Sequence, residues 1–219
     1  MKRKVAATVL SVLLATSMMP VSAFAENDLS NEKKGATEIT KQINENVYQL
    51  LDFDDKQEEE FATKGFITAT ETLTIKDDND NTIFDQTVYD FVKDTDAPDS
   101  ANPSLWRNTQ LNANYGLFQV SDDIYQVRGY DISNMTFVRS DSGWIILDCM
   151  ASETTAKAAL DLFKSEMGDI HVSAVIISHA HVDHYGGIQG ILTADELADP
   201  TLSLEEQIAS GKTAIIVPE

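Results

Sequence analysis

The spacing of apolar residues along this chain changes several times, and each change predicts an element. From Glu38 onward, Ile39, Ile43, Val47, Leu50 and Leu51 recur near one face of a helix. The stretch "DFDDKQEEEFATKGF" opens acidic and stops at Gly65, which predicts a second, shorter helix. "ETLTIKDDNDNTIFDQTVYDF" predicts two short strands around an Asp/Asn turn. A calcium loop starting at Asp77 fails on spacing, because its sixth position is Thr82, not glycine, and its twelfth is Val88, not glutamate.

A connector punctuated by proline then leads into a helix around Ser104 to Leu111. "LFQV" and "DIYQV" alternate on either side of Ser121-Asp122, and "NMTFVR" and "GWIILD" flank the turn Ser140-Asp141-Ser142-Gly143. A marked helix follows, with Ser152 as N-cap, Ala156, Ala159, Leu160, Phe163 and Met167 at helical spacing, and Gly168 as its stop. "VSAVIIS" is apolar without alternation, as in a strand buried on both faces. Gly186-Gly187 opens a turn or short helix, "LSLEEQIAS" reads as a helix ended by Gly211, and "TAIIV" begins another strand. Strands followed by a β-α-β-α-β alternation predict an α/β layered domain. No internal repeat or low-complexity tract interrupts it.

Composition narrows the function. The 219 residues carry a formal net charge of −20, which excludes a nucleic-acid partner because phosphates would be repelled. Lys2, Arg3 and Lys4, an apolar run to Met19, Pro20 and Ala23-Phe24-Ala25 together predict a signal peptide over residues 1–25. That run is too short and too weakly apolar for a membrane anchor, the alternative being a retained amphipathic helix. A secreted or periplasmic protein is expected, with no membrane anchor after cleavage and a polar lead-in up to about residue 37. Cys149 is the single cysteine, so no intramolecular disulfide can form. It reads as a small buried hydrophobe, with metal ligation as the alternative.

The chemistry concentrates in "ISHAHVDHYGG", which holds three of the four histidines. It follows directly on the end of the predicted buried strand, where open α/β sheets place ligand sites. His179 and His181, two apart in an extended segment, point the same way. Asp183 and His184 come after the chain turns and can face a second point nearby, and Gly186 and Gly187 permit close backbone approach. Imidazoles and a carboxylate suit zinc or a similar first-row ion. Two such ions would serve a hydrolytic reaction. His171 sits at the opposite end of the strand and carries no such role.

The pattern H-x-H-x-D-H resembles the signature of the metallo-β-lactamase superfamily, whose fold places two β-sheets between helices. The resemblance implies that His179 and His181 bind one zinc ion and Asp183 and His184 a second, with Asp183 also orienting water as a catalytic residue. It implies that Asp148, ending "WIILD", supports the metal loop from behind. "NPSLWR", "GLF", "IYQVRGYDISNMT" and "SHAHVDHYGG" narrow the resemblance to the alkyl sulfatases, and "LDFDDKQEEEFATKGFI" is similar to the N-terminal segment of that branch. Cys149 stands where the family often has proline, and Ala180 where it often has serine; neither removes a ligand.

An αββα sandwich is therefore expected, incomplete at the C-terminus. The expected divisions are the leader, an N-terminal helical and hairpin segment over 26–115, and the first part of the catalytic domain over 116–219. The family continues into further metal ligands, a helical dimerisation domain and a lipid-carrier-like domain, so the chain is expected to be an N-terminal portion of a homodimeric enzyme. The substrate implied is a small alkyl sulfate ester, and Arg128 is the candidate contact for its sulfate, whereas Arg139 reads as a solvated strand residue. The alternatives are another hydrolase of the superfamily and an inactive metal-binding fragment.

Overall fold

The structure, a computed structural model, describes residues 35–218; the predicted leader lies outside them. Helices α1 (Glu38–Leu50) and α2 (Gln57–Thr63) come first, where the sequence pattern placed them. Thr37 caps α1 by accepting a hydrogen bond from the Thr40 amide at 3.2 Å. No residue of α1 is buried, and Ile39, Ile43 and Leu50 stand exposed. Strand β1 (Phe66–Thr68) follows, and β2 (Thr74–Lys76) and β3 (Thr82–Asp85) form a separate antiparallel ribbon.

The second strand of that ribbon ends at Asp85. Asp85 accepts hydrogen bonds from the Thr87 amide at 3.0 Å and the Thr87 hydroxyl at 2.6 Å, and the chain turns into a 3-10 helix, Gln86–Val92. A short polar side chain that bonds nearby backbone outcompetes the ladder here. Helix α3 (Pro103–Asn112) starts on an Asn102 cap with proline in its first turn.

Strands β4 (Gly116–Ser121), β5 (Ile124–Arg128), β6 (Met135–Ser140) and β7 (Gly143–Leu147) run as consecutive antiparallel neighbours. Helix α4 (Glu153–Met167) then crosses over to β8 (Val172–Ile176), which pairs with β7 in parallel. A parallel return needs such a crossover, whereas the hairpins need only tight turns. The short helices α5 (Val182–Tyr185) and α6 (Leu204–Ala209) precede β9 (Ala214–Ile216), parallel to β8. The sheet order is β1-β4-β5-β6-β7-β8-β9. The architecture is α/β, and the described residues supply one seven-stranded mixed sheet, the ribbon and the helices.

Period-two alternation decides what faces α4. Tyr125 and Val127, Met135 and Phe137, and Trp144 and Ile146 are buried, while their strand neighbours are only half-covered. Phe163 of α4 stacks on Phe137 with centroids 3.8 Å apart and meets the Trp144 ring edge-on at 4.8 Å. Burying one such side chain stabilises by about 1.5–3 kcal/mol, and each aromatic pair adds about 0.5–1.5 kcal/mol. This core fixes β7 and β8 beside each other, and the candidate site grows from their C-terminal ends. No described helix is long and apolar enough to cross a membrane.

Candidate metal centre

Leu147 pairs with Ile176 at the ends of β7 and β8, so Asp148 and Ser178 emerge side by side. Asp148 adopts a positive φ of 61°, and Met150 one of 64°. Side chains other than glycine rarely hold such angles, and the surrounding bonds hold both. The Asp148 amide donates to the Ile176 carbonyl at 2.9 Å, Cys149 N–H donates to the His184 carbonyl at 2.8 Å, and Gly187 N–H donates to the Met150 carbonyl at 3.0 Å. The Asp148 carboxylate accepts from the Ser178 amide at 2.8 Å, the Ser178 hydroxyl at 2.8 Å and His184 Nδ1 at 2.7 Å. Burial pushes this carboxyl up, but the donors at Ser178 and His184 outweigh it and hold its pKa below the ordinary value.

The loop beyond Ser178 brings the predicted donors together as two pairs. His179 Nε2 lies 3.1 Å from His181 Nδ1. His184 Nε2 lies 3.2 Å from Asp183 Oδ2. Two ligand atoms each about 2.0–2.1 Å from one tetrahedral zinc ion are separated by roughly 3.3 Å, so both spacings fit a shared ion. The His179 and His184 rings are 3.9 Å apart, which makes the pairs adjacent. His179 and His181 are exposed, and Asp183 and His184 half-buried, so all four can be reached from solvent. Among the described residues no three His, Cys, Asp or Glu side chains converge on one metal-sized point. The donor set fits a pair of ions held by two protein atoms each, with further positions for other donors or water.

His184 has its second nitrogen engaged by Asp148, the arrangement in which a carboxylate orients a metal-binding imidazole. The two glycines act as the sequence suggested. A Cβ on Gly187 would lie 2.1 Å from the Cys149 carbonyl oxygen, and one on Gly186 would lie 2.4 Å from that of Ala151. Only glycine lets the loop seat so closely against residues 149–152.

Three supporting residues escaped the sequence reading. Ser178 ties Asp148 to the histidines, as described. Ser133 donates its hydroxyl to the Asp183 carbonyl at 2.5 Å. Asp131 accepts from the Ala151 amide at 3.0 Å and the Thr155 hydroxyl at 2.5 Å, holding the 129–134 loop to the start of α4. All three roles depend on contacts between segments at least 20 residues apart. The one local signal was the serine immediately before His179.

Arg128 ends β5 at the same end of the sheet as Asp148, because β5 and β7 are each antiparallel to β6. Its guanidinium lies over the Phe118 ring at 4.4 Å, donates from Nε to Gln126 at 2.8 Å, and has its pKa lowered by burial. It borders a cleft of about 690 Å³ with Phe61, Phe84, Tyr89, Asp131 and Ile132. Among the described residues no carboxylate pairs with it, and no hydrogen bond joins it to the histidines. Arg139 is a solvated strand residue, 3.7 Å from Asp123 and stacked over Trp144 at 4.6 Å. Cys149 is fully buried, and burial followed by the Asp148 charge pushes its thiol up to about 12, so it packs as an inert hydrophobe. His171 stays apart from the cluster, its carbonyl accepting from Trp144 N–H at 2.8 Å.

Residues 128–198 match the model of the metallo-beta-lactamase superfamily, the stretch that contains Arg128, Asp148 and the histidine loop. Within that superfamily the chain is related to the alkylsulfatases. It is 42% identical to a linear primary-alkylsulfatase of Pseudomonas sp. over 95% of this chain and 29% of the relative. It is 37% identical to an (R)-specific secondary-alkylsulfatase of Pseudomonas sp. over 96% of this chain and 30% of the relative. The alkyl/aryl-sulfatase BDS1 of Saccharomyces cerevisiae is 34% identical over 90% of this chain and 29% of its own. The solved structure of the stereoselective inverting sec-alkylsulfatase Pisa1 from Pseudomonas sp. superposes with a TM-score of 0.71 at 38% identity, covering 83% of this chain and 27% of that one. The chain thus spans less than a third of the length of each of these relatives.

Proposed function

We propose that this chain carries the metal loop of a zinc-dependent hydrolase that splits alkyl sulfate esters into alcohol and sulfate. The observation that carries the reading is the pair of donor spacings, 3.1 and 3.2 Å, on a strand-end loop in a relative of the alkylsulfatases. His179 and His181 would hold one ion, and Asp183 and His184 the other. Ions bound there would supply Lewis-acid polarisation and make water acidic enough to react near neutral pH.

The remaining work falls to side chains. Asp183 faces His184 with Oδ2, and its carboxylate can accept a proton from water and aim it. Asp148 fixes the His184 ring. Arg128, free of a carboxylate partner among the described residues, offers a charge-assisted contact to the ester sulfate, and Phe61, Phe84 and Ile132 line an apolar surface beside it for an alkyl chain. Addition of water across the ester balances the reaction without any other reactant.

Joined to the remaining part of the Pseudomonas linear primary-alkylsulfatase, this chain should support chelator-sensitive sulfate release from dodecyl sulfate. His179→Ala should abolish the release. A chimera that folds, binds zinc and leaves the ester intact would sink the proposal. A second reading, metal binding without activity in the chain alone, is favoured by the donors coming in pairs among the described residues. Sulfate release by the 219-residue chain alone would reject that second reading.

Export belongs to the same proposal. Residues 1–25 would be removed, and mass spectrometry of the secreted or periplasmic protein should find Glu26 at its start. A product that retains Lys2, Arg3 and Lys4 would overturn it.

A further inference from the structure

The hydroxyl of Ser178 touches both halves of the site. Its Oγ lies 2.8 Å from Asp148 Oδ2 and 2.9 Å from His179 Nδ1, with His184 Nδ1 further off at 3.4 Å. The carboxylate is an acceptor only, and a serine hydroxyl has one proton to give. That proton therefore goes to Asp148, and the hydroxyl oxygen is left to accept from His179 Nδ1–H. The same carboxylate oxygen accepts from His184 Nδ1–H at 2.7 Å. Both imidazoles thereby carry a proton on Nδ1, and each in its neutral form has a bare Nε2. These are the two nitrogens that face the other donors, His181 Nδ1 at 3.1 Å and Asp183 Oδ2 at 3.2 Å.

We propose that Ser178 is a positioning residue that locks His179 in its Nδ1–H tautomer, passing the acceptor power of Asp148 on to a second histidine. This rests on the metal-site reading, but its immediate consequence lies in the protein before any ion binds. A neutral imidazole in water favours the Nε2–H tautomer, which would cover the donor atom with a proton. Ser178 removes that obstacle at His179 as Asp148 does at His184. A single carboxylate thus prepares one ligand of each ion, one directly and one through a hydroxyl.

Three features separate this role from a structural one. Ser178 is exposed, so its hydroxyl fills no core space. Its amide is held independently by Asp148 Oδ1 at 2.8 Å, so the backbone keeps its place without the hydroxyl. Threonine, which retains the hydroxyl, adds only a methyl at this exposed position.

The test uses the metal-free 219-residue chain labelled with [15N]histidine, at about pH 8, above the ordinary imidazole pKa of about 6.5. Long-range 1H–15N spectra should show His179 and His184 protonated at Nδ1. Ser178→Ala should move His179 toward the Nε2–H form and leave His184 unchanged, and Ser178→Thr should restore the original spectrum. Zinc affinity, read by competition with a chromophoric chelator, should fall about tenfold in Ser178→Ala, the low end of what loss of an orienting partner costs, and return in Ser178→Thr. His179 already protonated at Nε2 in the unaltered chain, or an unchanged tautomer in Ser178→Ala, overturns the proposal. Failure of the unaltered chain to bind zinc at all would count against the metal-site reading instead, and leaves the tautomer result to stand by itself.

Discussion

Asp148 Oδ2 and His184 Nδ1 meet across 2.7 Å although 36 residues separate them in sequence. The contact exists because β7 and β8 end side by side, and it leaves His184 Nε2 aimed at Asp183. Asp148 holds this position at a φ of 61°, a conformation that asparagine and aspartate tolerate better than most residues. Asp148→Asn keeps the size and the backbone preference but replaces one acceptor oxygen by a donor. Either the Ser178 amide, or His184 together with the Ser178 hydroxyl, then loses its acceptor. Zinc affinity should fall by about 10- to 100-fold, as for other partners that orient metal-binding imidazoles. Competition against a chromophoric chelator measures it, and an affinity equal to that of the unaltered chain would show that Asp148 does not support the site.

The histidines themselves give the next prediction. His181→Ala removes one atom of the 3.1 Å pair and should abolish most zinc binding, whereas His171→Ala, remote from the cluster, should leave it intact. Binding should be weaker than at a closed four-ligand structural site, where the apparent free energy reaches about 10–16 kcal/mol. Equal losses from both substitutions in a metal titration would place the site elsewhere.

The clustering of the candidate donors was legible in the sequence because their spacing is local: three histidines and an aspartate within six positions after an apolar run. The sheet was legible for the same reason, since alternation and turn residues mark β4 to β7. What holds the donors was not. Ser178, Ser133 and Asp131 act across separations of 30, 50 and 20 residues, and no local pattern reports which strand ends become neighbours. Asp148 came from family resemblance, not from spacing. The end of the second ribbon strand at Asp85 was not legible either, because it depends on Thr87 bonding to that aspartate and turning the chain. Likewise, apolar spacing in α1 marked the helix correctly, but periodicity alone does not say what, if anything, covers the stripe.

That exposed stripe makes a direct prediction. Ile43 is 57% exposed, so Ile43→Ser should change the stability of the chain by no more than about 0.5 kcal/mol in urea unfolding. A loss of several kcal/mol would mean that α1 packs on the rest of the fold.

Phe163 is the opposite case. It is fully buried, stacked on Phe137 and edge-on to Trp144. Phe163→Ala should cost about 3–5 kcal/mol, a large share of the roughly 5–15 kcal/mol by which an ordinary domain is stable. Phe163→Leu, which refills much of the volume, should cost less. Equal and small losses for both variants would contradict the α4 packing.

Gly187 links that core to the histidine loop. An added Cβ would lie 2.1 Å from the Cys149 carbonyl oxygen, 2.6 Å from the Ala156 side chain and 2.6 Å from the Ser152 carbonyl oxygen. Two of those atoms are backbone, so no side chain can swing aside to make room. The loop must lift, breaking the bond from Gly187 N–H to the Met150 carbonyl and shifting α5 with Asp183 and His184. Overpacking of this kind costs about 1–3 kcal/mol, and a displacement of about 1 Å is large for donors that must share an ion. Gly211 is the control: its φ is 73°, but nothing lies within 4 Å of an added Cβ. Gly211→Ala should cost only the roughly 1–2 kcal/mol of a left-handed alanine and leave zinc affinity unchanged. Gly187→Ala should lower both the melting temperature and the zinc affinity. If the two variants bind zinc equally well, the close approach of the loop to residues 149–152 does not position the donors.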